Sequence, residues 1–287
     1  MKHIFFLYCA ASFAFACGGS ASEKRVQTAY AVESVDELFT KALQLERQKD
    51  WNGASQIYQK ILQIEPALES AAMNLSALFI EQKRFTDARS VAQHALVYHP
   101  QSVSLRLNAA IAEASLDHRA EAKRHFNDAV QRSRDPYAAF TYGHWLALWG
   151  EREEARQTWM RARGLGKDHS SVLASIGDEM RQLGLFAECI DVLDEAIGQQ
   201  PTAEFLTERA LCKIGLRREP EALADLNEAV RVDPSYPVAY FYRAGRLAAS
   251  GRWQEAIDAY QMYIHLAPHG PLAEKAAERI EKAKLRK

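Results

Sequence analysis

The sequence predicts an all-α fold built from repeated helix pairs, and three observations carry that expectation. In residues 69–102, apolar side chains fall at Ala72, Met73, Leu75, Ala77 and Leu78, and again at Ala88, Val91, Ala92, Ala95 and Leu96. Both sets have helical spacing, and neither half is long enough to bury its apolar face alone. Between them lie the polar residues Gln82, Lys83 and Arg84, and Pro100 stops the second half. The third observation is recurrence, since the same unit of about 34 residues returns along the chain from residue 35 to residue 270.

The pattern resembles the tetratricopeptide repeat (TPR). Its small residue in the first helix is Ser76, followed by the large Phe79; the second helix supplies Ala88, Ala92 and Ala95, and Pro100 closes the unit. A small side chain in one helix facing a small one in the next lets the backbones approach, and a bulky residue there costs roughly 1–3 kcal/mol. The resemblance implies an all-α TPR solenoid: a right-handed superhelix of antiparallel helix pairs, about seven repeats and a C-terminal capping helix.

The chain in order supports seven units in register. The first, 35–68, carries Ala42, Leu45, Ala54, Tyr58 and Pro66, and Ser34 with Glu37 reads as a capping box at its start. The second is 69–102. The third, 103–135, has Ala110, Ala122, Phe126 and Ala129, and the fourth, 136–169, has Gly143, Leu146, Ala155, Trp159 and Ala162, entered through Asp135 and Pro136. The fifth, 170–202, has Gly177, Met180, Cys189, Leu193 and Ala196; the sixth, 203–236, has Ala210, Ala222, Leu226 and Ala229; the seventh, 237–270, has Ala244, Leu247, Ala256 and Tyr260. Residues 271–287 begin a fifteenth helix, with Leu272, Ala276, Ile280 and Leu285 expected on its apolar side and Glu274, Lys275, Glu278, Arg279, Glu281 and Lys282 on the other. A terminal helix with a polar outer face ends such a stack in water.

Composition agrees with a folded chain: of 287 residues 48% are hydrophobic and 25% charged, with a net charge of -1. Near-neutral charge argues against a nucleic-acid partner.

Residues 1–16 read as a signal peptide. Lys2 and His3 give a basic start, residues 4–15 form an apolar run too short to span a bilayer, and Ala14, Phe15 and Ala16 fit a small-x-small cleavage site. Cys17 follows, then Gly18, Gly19 and Ser20, which resembles the lipobox of bacterial lipoproteins, although that family prefers leucine where Ala14 stands. The resemblance implies lipid attachment at Cys17, a tether over 17–34, and an outer-membrane location facing the periplasm, since Gly18 is not the aspartate that retains lipoproteins in the inner membrane. Ordinary cleavage, giving a soluble periplasmic protein, is the alternative.

Chemistry is nearly absent from the pattern. The histidines lack metal-ligand spacing, with Pro268 interrupting His265 and His269, and the Gly164 to Lys167 stretch lacks the arch of a phosphate loop. Glu151, Glu153 and Glu154 sit at a helix start, where carboxylates favour the macrodipole. No catalytic residue, cofactor or metal is expected.

What remains is the wall formed by the first helices, which the TPR resemblance turns toward a concave groove. There the chain offers Phe39, Leu43, Met73, Asn74, Ala77, Ile80, Leu107, Asn108, Ile111, Phe140 and His144. Asp178, Arg181, Thr207 and Glu208 make the later wall polar, and Phe241 and Tyr242 make it aromatic again. Asn74 and Asn108 have amides suited to a guest backbone, but the basic partners of the family's chaperone-tail clamp are missing. Trp145 and Trp149, four apart, are expected to be core.

The expected function is a non-enzymatic scaffold or assembly factor of the bacterial envelope. It would hold a protein or peptide segment of an envelope complex, anchored to the membrane at Cys17. In length and organisation the chain is similar to the pilotin lipoproteins of type IV pili, and to TPR lipoprotein adaptors that bring cell-wall hydrolases to a protease. An accessory subunit presenting substrates to a periplasmic enzyme, or a soluble carrier, is the alternative. Cys189 and Cys212 are expected as buried thiols filling alanine-sized sites, with a bridge as the second possibility in an oxidising compartment.

Overall fold

A computed structural model describes residues 33–286. The expected signal segment, Cys17 and the tether as far as residue 32 lie outside the described residues. Among the described residues there are fifteen helices and no strand. They fall into two compact units, the first ending at Arg132 and the second beginning at Ser133.

The first unit holds three pairs: α1 (Val35–Arg47) with α2 (Trp51–Ile64), α3 (Glu69–Glu81) with α4 (Phe85–Tyr98), and α5 (Val103–Ser115) with α6 (Arg119–Arg132). The second holds four: α7 (Pro136–Leu148) with α8 (Arg152–Leu165), α9 (Ser170–Gln182) with α10 (Phe186–Gln199), α11 (Ala203–Gly215) with α12 (Glu219–Val232), and α13 (Pro237–Ala249) with α14 (Trp253–Leu266), followed by α15 (Ala273–Lys284). Every first helix has 13 residues and every second helix 14. Local chemistry fixes several starts. Ser34 and Glu37 form the expected capping box, and Asp135 accepts from the Tyr137 amide ahead of Pro136.

Each second helix buries a small residue in its first turn. Ala54, Ala88, Ala122, Ala155, Cys189, Ala222 and Ala256, one per second helix, are all 0% exposed. In two pairs of the second unit the small residue of the first helix also meets a large one. A Cβ on Gly143 would overlap the Trp159 ring, and one on Gly177 would lie 2.8 Å from Leu193 Cγ. Trp159 and Leu193 lie one turn beyond Ala155 and Cys189 on the same inward face, so glycine makes room for the bulk there.

The cap differs in detail from the pattern. Ala276, Ile280 and Ala283 of α15 are buried against a core that includes Phe241, Tyr260 and Tyr263. Leu285, expected on the apolar side, follows the helix as its C-cap and is 89% exposed. Trp145 and Trp149 are half-buried rather than core, their rings 5.9 Å apart, because both fall in the last turn and C-cap of α7.

The thiol expectation is corrected too. Cys189 and Cys212 form a disulfide, with Cα atoms 6.3 Å apart. Cys189 stands in the first turn of α10 and Cys212 in the last turn of α11, and α10 packs against α11. The start of one helix therefore lies beside the end of the other. A loop of this size stabilises by about 3 kcal/mol through the restricted unfolded chain.

The turn inside each pair carries a constraint of its own. Lys49, Lys83, Asp117 and Arg217 have φ of 59–61°, and Gly150, Gly184 and Gly251 have φ of 75–83°. All seven hold one equivalent place, where the chain reverses through a left-handed residue after the first helix. A side chain in that conformation costs about 1–2 kcal/mol, partly offset by the larger unfolded freedom of glycine. Lys83→Gly is therefore expected to raise stability by about 0.5–1 kcal/mol, and Gly150→Ala, whose Cβ meets nothing within 4 Å, to lower it. Chemical denaturation of both variants checks this; an unchanged midpoint for both would contradict the strain assigned to the turn.

Candidate functional site

In the first unit the first helices place equivalent side chains on one wall. Phe39, Met73 and Leu107 share one register position of α1, α3 and α5, and Leu43, Ala77 and Ile111 share the next turn. Phe39, Leu43, Met73 and Ala77 are half-buried. Leu107 is 8% exposed, Ile111 7% and Ile80 5%, so these three belong to the packing rather than to an open surface.

The polar members of the wall are already engaged. Tyr58 Oη donates to Glu46 at 2.7 Å and accepts from Asn74 Nδ2 at 2.9 Å, while the Phe39 and Tyr58 ring centroids lie 5.5 Å apart. This relay ties α3 to the first pair. Asn108 Nδ2 donates to Met73 O at 3.1 Å and Ser76 Oγ at 2.8 Å, tying α5 to α3. Each asparagine thus donates across to a neighbouring pair.

Phe140 and His144 lie in the second unit. Phe140 is 5% exposed, and His144 Nδ1 is 2.6 Å from Oε1 of the buried Glu179. The polar wall expected further on is largely satisfied within itself: Arg181 Nε donates to Glu208 at 2.8 Å, Arg181 also pairs with Asp178, and the buried Thr207 hydroxyl donates to Ala203 O at 2.7 Å. Burial foremost pushes the Glu208 carboxyl up, against the pull of Arg181. Phe241 is 3% exposed and belongs to the core under the cap, while Tyr242 stays half-buried. Glu153 is exposed, and hydrogen bonds from Arg156 and Gln157 hold its carboxyl down to about 2.

Among the described residues, no group of three or more His, Cys, Asp or Glu is placed to hold a metal, and no helix is long and apolar enough to cross a membrane. The sequence pattern missed a basic cavity beside the cap, where Arg246 meets Arg279, Lys282 and Arg286. Its cations alternate with Glu274, Glu278 and Glu281 in the sequence of α15, so no charge run marked it.

Glu46 offers a test of the relay. Burial, the largest influence, raises its carboxyl pKa, while the Tyr58 hydroxyl lowers it. A carboxyl with a higher pKa in the folded chain than in the unfolded one favours folding less as pH rises above the unfolded value. Glu46→Gln keeps an acceptor for Tyr58 without the charge. Its melting temperature is expected to match wild type near about pH 4 and to exceed it near about pH 7. An equal difference at both values would contradict the assignment.

Comparison with known proteins agrees with this architecture. Residues 239–269 match the family model described as "Tetratricopeptide repeat". A stretch of 103 residues is 36% identical to the DnaJ protein P58IPK homolog of Arabidopsis thaliana, covering 36% of this chain and 21% of that protein. Another of 130 residues is 28% identical to sperm-associated antigen 1 of Mus musculus, covering 44% of this chain and 14% of that protein. The matches therefore span less than a quarter of these relatives. Among solved structures, yeast Tom70 superimposes with a TM-score of 0.61 at 15% identity, over 89% of this chain and 56% of that one. A Parabacteroides merdae tetratricopeptide repeat protein gives 0.53 at 16% identity, over 87% and 98%. The pilF protein of Pseudomonas aeruginosa gives 0.53 at 15%, over 76% and 97%. At such identities the likeness is one of fold.

Proposed function

We propose that this chain, a tetratricopeptide-repeat protein, is a non-enzymatic scaffold of the bacterial cell envelope that grips a segment of a partner protein on the first-helix wall of its first unit. The observation that carries the reading is the periodic apolar wall. Phe39, Leu43, Met73 and Ala77 remain half-exposed at equivalent places on consecutive helices, while the hydrogen-bonded chain behind them fixes their spacing. A rigid row of apolar anchors suits an extended or helical segment, because few side chains carry most of the energy of such an interface.

The envelope assignment has separate support. Cys17 after an apolar run and Ala16 resembles a lipoprotein start, and the Cys189–Cys212 bridge suits an oxidising compartment. The named relatives are eukaryotic and share only stretches of the chain, so they give this assignment nothing. A lipid on Cys17 would leave the repeats on a short tether at the outer membrane, with a pilotin-like role in assembling a membrane or pilus complex. Anchoring by more than one acyl chain is stable where a single chain is marginal.

The test uses envelope membranes and in-cell cross-linking, with the captured partner identified by mass spectrometry. Phe39→Glu with Met73→Glu is expected to lower capture by about tenfold or more while leaving the helical signal unchanged. Leu107 and Phe140 are unsuitable for this, because glutamate at either would unfold its pair. Cys17→Ser should release the protein into the soluble fraction. Undiminished capture by the double variant would overturn the wall as the binding face, and an unmodified Cys17 by intact mass would overturn the anchor.

A further inference from the structure

A cleft of ≈ 550 Å³ opens between α5 and α6 in the first unit. Arg106 of α5 lines it together with Arg124, His125, Asn127, Asp128 and Gln131 of α6. Arg124, Asn127, Asp128 and Gln131 recur at the spacing of one helix face. All six side chains are polar or charged.

Two of these residues depart from the repeat. Arg106 holds the place taken in other first helices by the buried Leu38, Ala72, Ala139, Leu173 and Leu206 and by the half-buried Tyr240. His125 holds the place of Ile57, Val91, Val192 and Ala259 in other second helices. Thr158 and Asp225 also stand there, but each is partnered. The Thr158 hydroxyl donates to Glu154 O at 2.8 Å, and Asp225 pairs with Arg209 and Lys213. His125 is 8% exposed, and its Nε2 is buried with no partner among the described residues. The Arg106 Nε is in the same state. Packing of the repeat requires neither group, and a buried polar atom left unmet costs about 1–3 kcal/mol.

Charge adds a second observation. Arg106 Nη1 lies 2.6 Å from Asp128 Oδ2, and Arg132 Nε donates to the other oxygen of Asp128 at 2.7 Å. The one carboxylate of the cleft is thus shared by two guanidiniums. Another N–H of Arg106 meets Pro100 O. Arg124 is exposed and, among the described residues, has no carboxylate within salt-bridge reach. Burial foremost, then the charges of Arg124 and Arg106, push the His125 imidazole down, so both guanidiniums act on the same place. An excess of positive charge beside unmet buried nitrogens suits an oxyanion, because a guanidinium matches a phosphate through two parallel hydrogen bonds. The amides of Asn127 and Gln131 both donate and accept, as hydroxyl groups require.

We propose that the α5–α6 cleft binds a small phosphate ester of a polyol, its phosphate on Arg106 and Arg124 above His125 and its hydroxyls on Asn127 and Gln131. Size selects an ester over a bare ion. A single water takes about 30 Å³, so inorganic phosphate would leave most of the cleft to solvent and both amides unused. Two sources carry this chemistry, a soluble monoester and the diester headgroup of a lipid. The site stands independently of the first-helix wall, to which α6 supplies no residue.

Titration calorimetry on the full chain tests it, with glycerol 3-phosphate as the monoester, glycerophosphoglycerol as the deacylated headgroup, and glycerol and inorganic phosphate as controls. At least one ester is expected to bind saturably, with an affinity that falls as salt rises, and glycerol not to bind. The tighter of the two esters identifies the source, and either one supports the site. Arg124→Gln and Asn127→Leu, both at exposed positions, should each weaken ester binding by about tenfold. Arg231→Gln removes the same charge at an exposed place on α12 and should leave binding unchanged. Circular dichroism checks that the variants keep their helices. Failure of both esters to bind, unchanged affinity in Arg124→Gln, or an equal loss in Arg231→Gln would overturn the proposal. Inorganic phosphate binding as tightly as the better ester would also overturn it, by showing a bare-anion site.

Discussion

The structure depends on one contact made seven times: the close crossing of the two helices in each pair. Ala54, Ala88, Ala122, Ala155, Cys189, Ala222 and Ala256, each in the first turn of a second helix, are all fully buried. A small side chain there lets two short helices share a face that neither buries alone, and helices of this length are marginal in isolation. Everything else is adjusted around the crossing. Gly143 yields to Trp159 and Gly177 to Leu193, and the turn between the helices is tight enough to force a left-handed residue, even where that residue is Lys49, Lys83, Asp117 or Arg217.

The same constraint shapes the functional surface. A first helix that spends one side on its partner has another side for its neighbours, and in the first unit that side is only partly covered. Polar groups are placed to join the pairs: the relay from Glu46 through Tyr58 to Asn74, and the bonds from Asn108 to Met73 and Ser76. They fix the distance between successive apolar anchors. Phe39 and Met73 stay accessible while Leu107 sinks into the packing, so the binding face narrows along the unit. The cap solves the end of the stack differently, covering Phe241, Tyr260 and Tyr263 while leaving its cations around a cavity.

Much of the architecture was legible in the residues because the repeat writes each rule seven times. The alanine series, the capping box at Ser34 and the start at Asp135 and Pro136 follow from local chemistry that needs no tertiary knowledge. The misses share a cause: each depends on what a neighbouring element covers. Periodicity placed Leu285 on the apolar side, but the helix ends before it. The TPR resemblance placed Leu107 and Phe140 on the groove wall without saying how deeply adjacent packing would bury them. The same resemblance implied adjacent antiparallel helices for Cys189 and Cys212 but gave no Cα separation, and that separation decides between thiols and a bridge. The cavity beside Arg279 was invisible for the same reason, since three helices contribute to it.

The most direct measurement of the central claim is a set of single alanine-to-valine substitutions at Ala54, Ala88, Ala122, Ala155, Ala222 and Ala256, followed by denaturation and by hydrogen exchange resolved to each helix. If the crossing holds each pair, every substitution should cost about 1–3 kcal/mol, and the loss of protection should centre on its own pair and fade through its neighbours. Substitutions tolerated without loss, or exchange that rises far from the altered pair and not within it, would contradict the account.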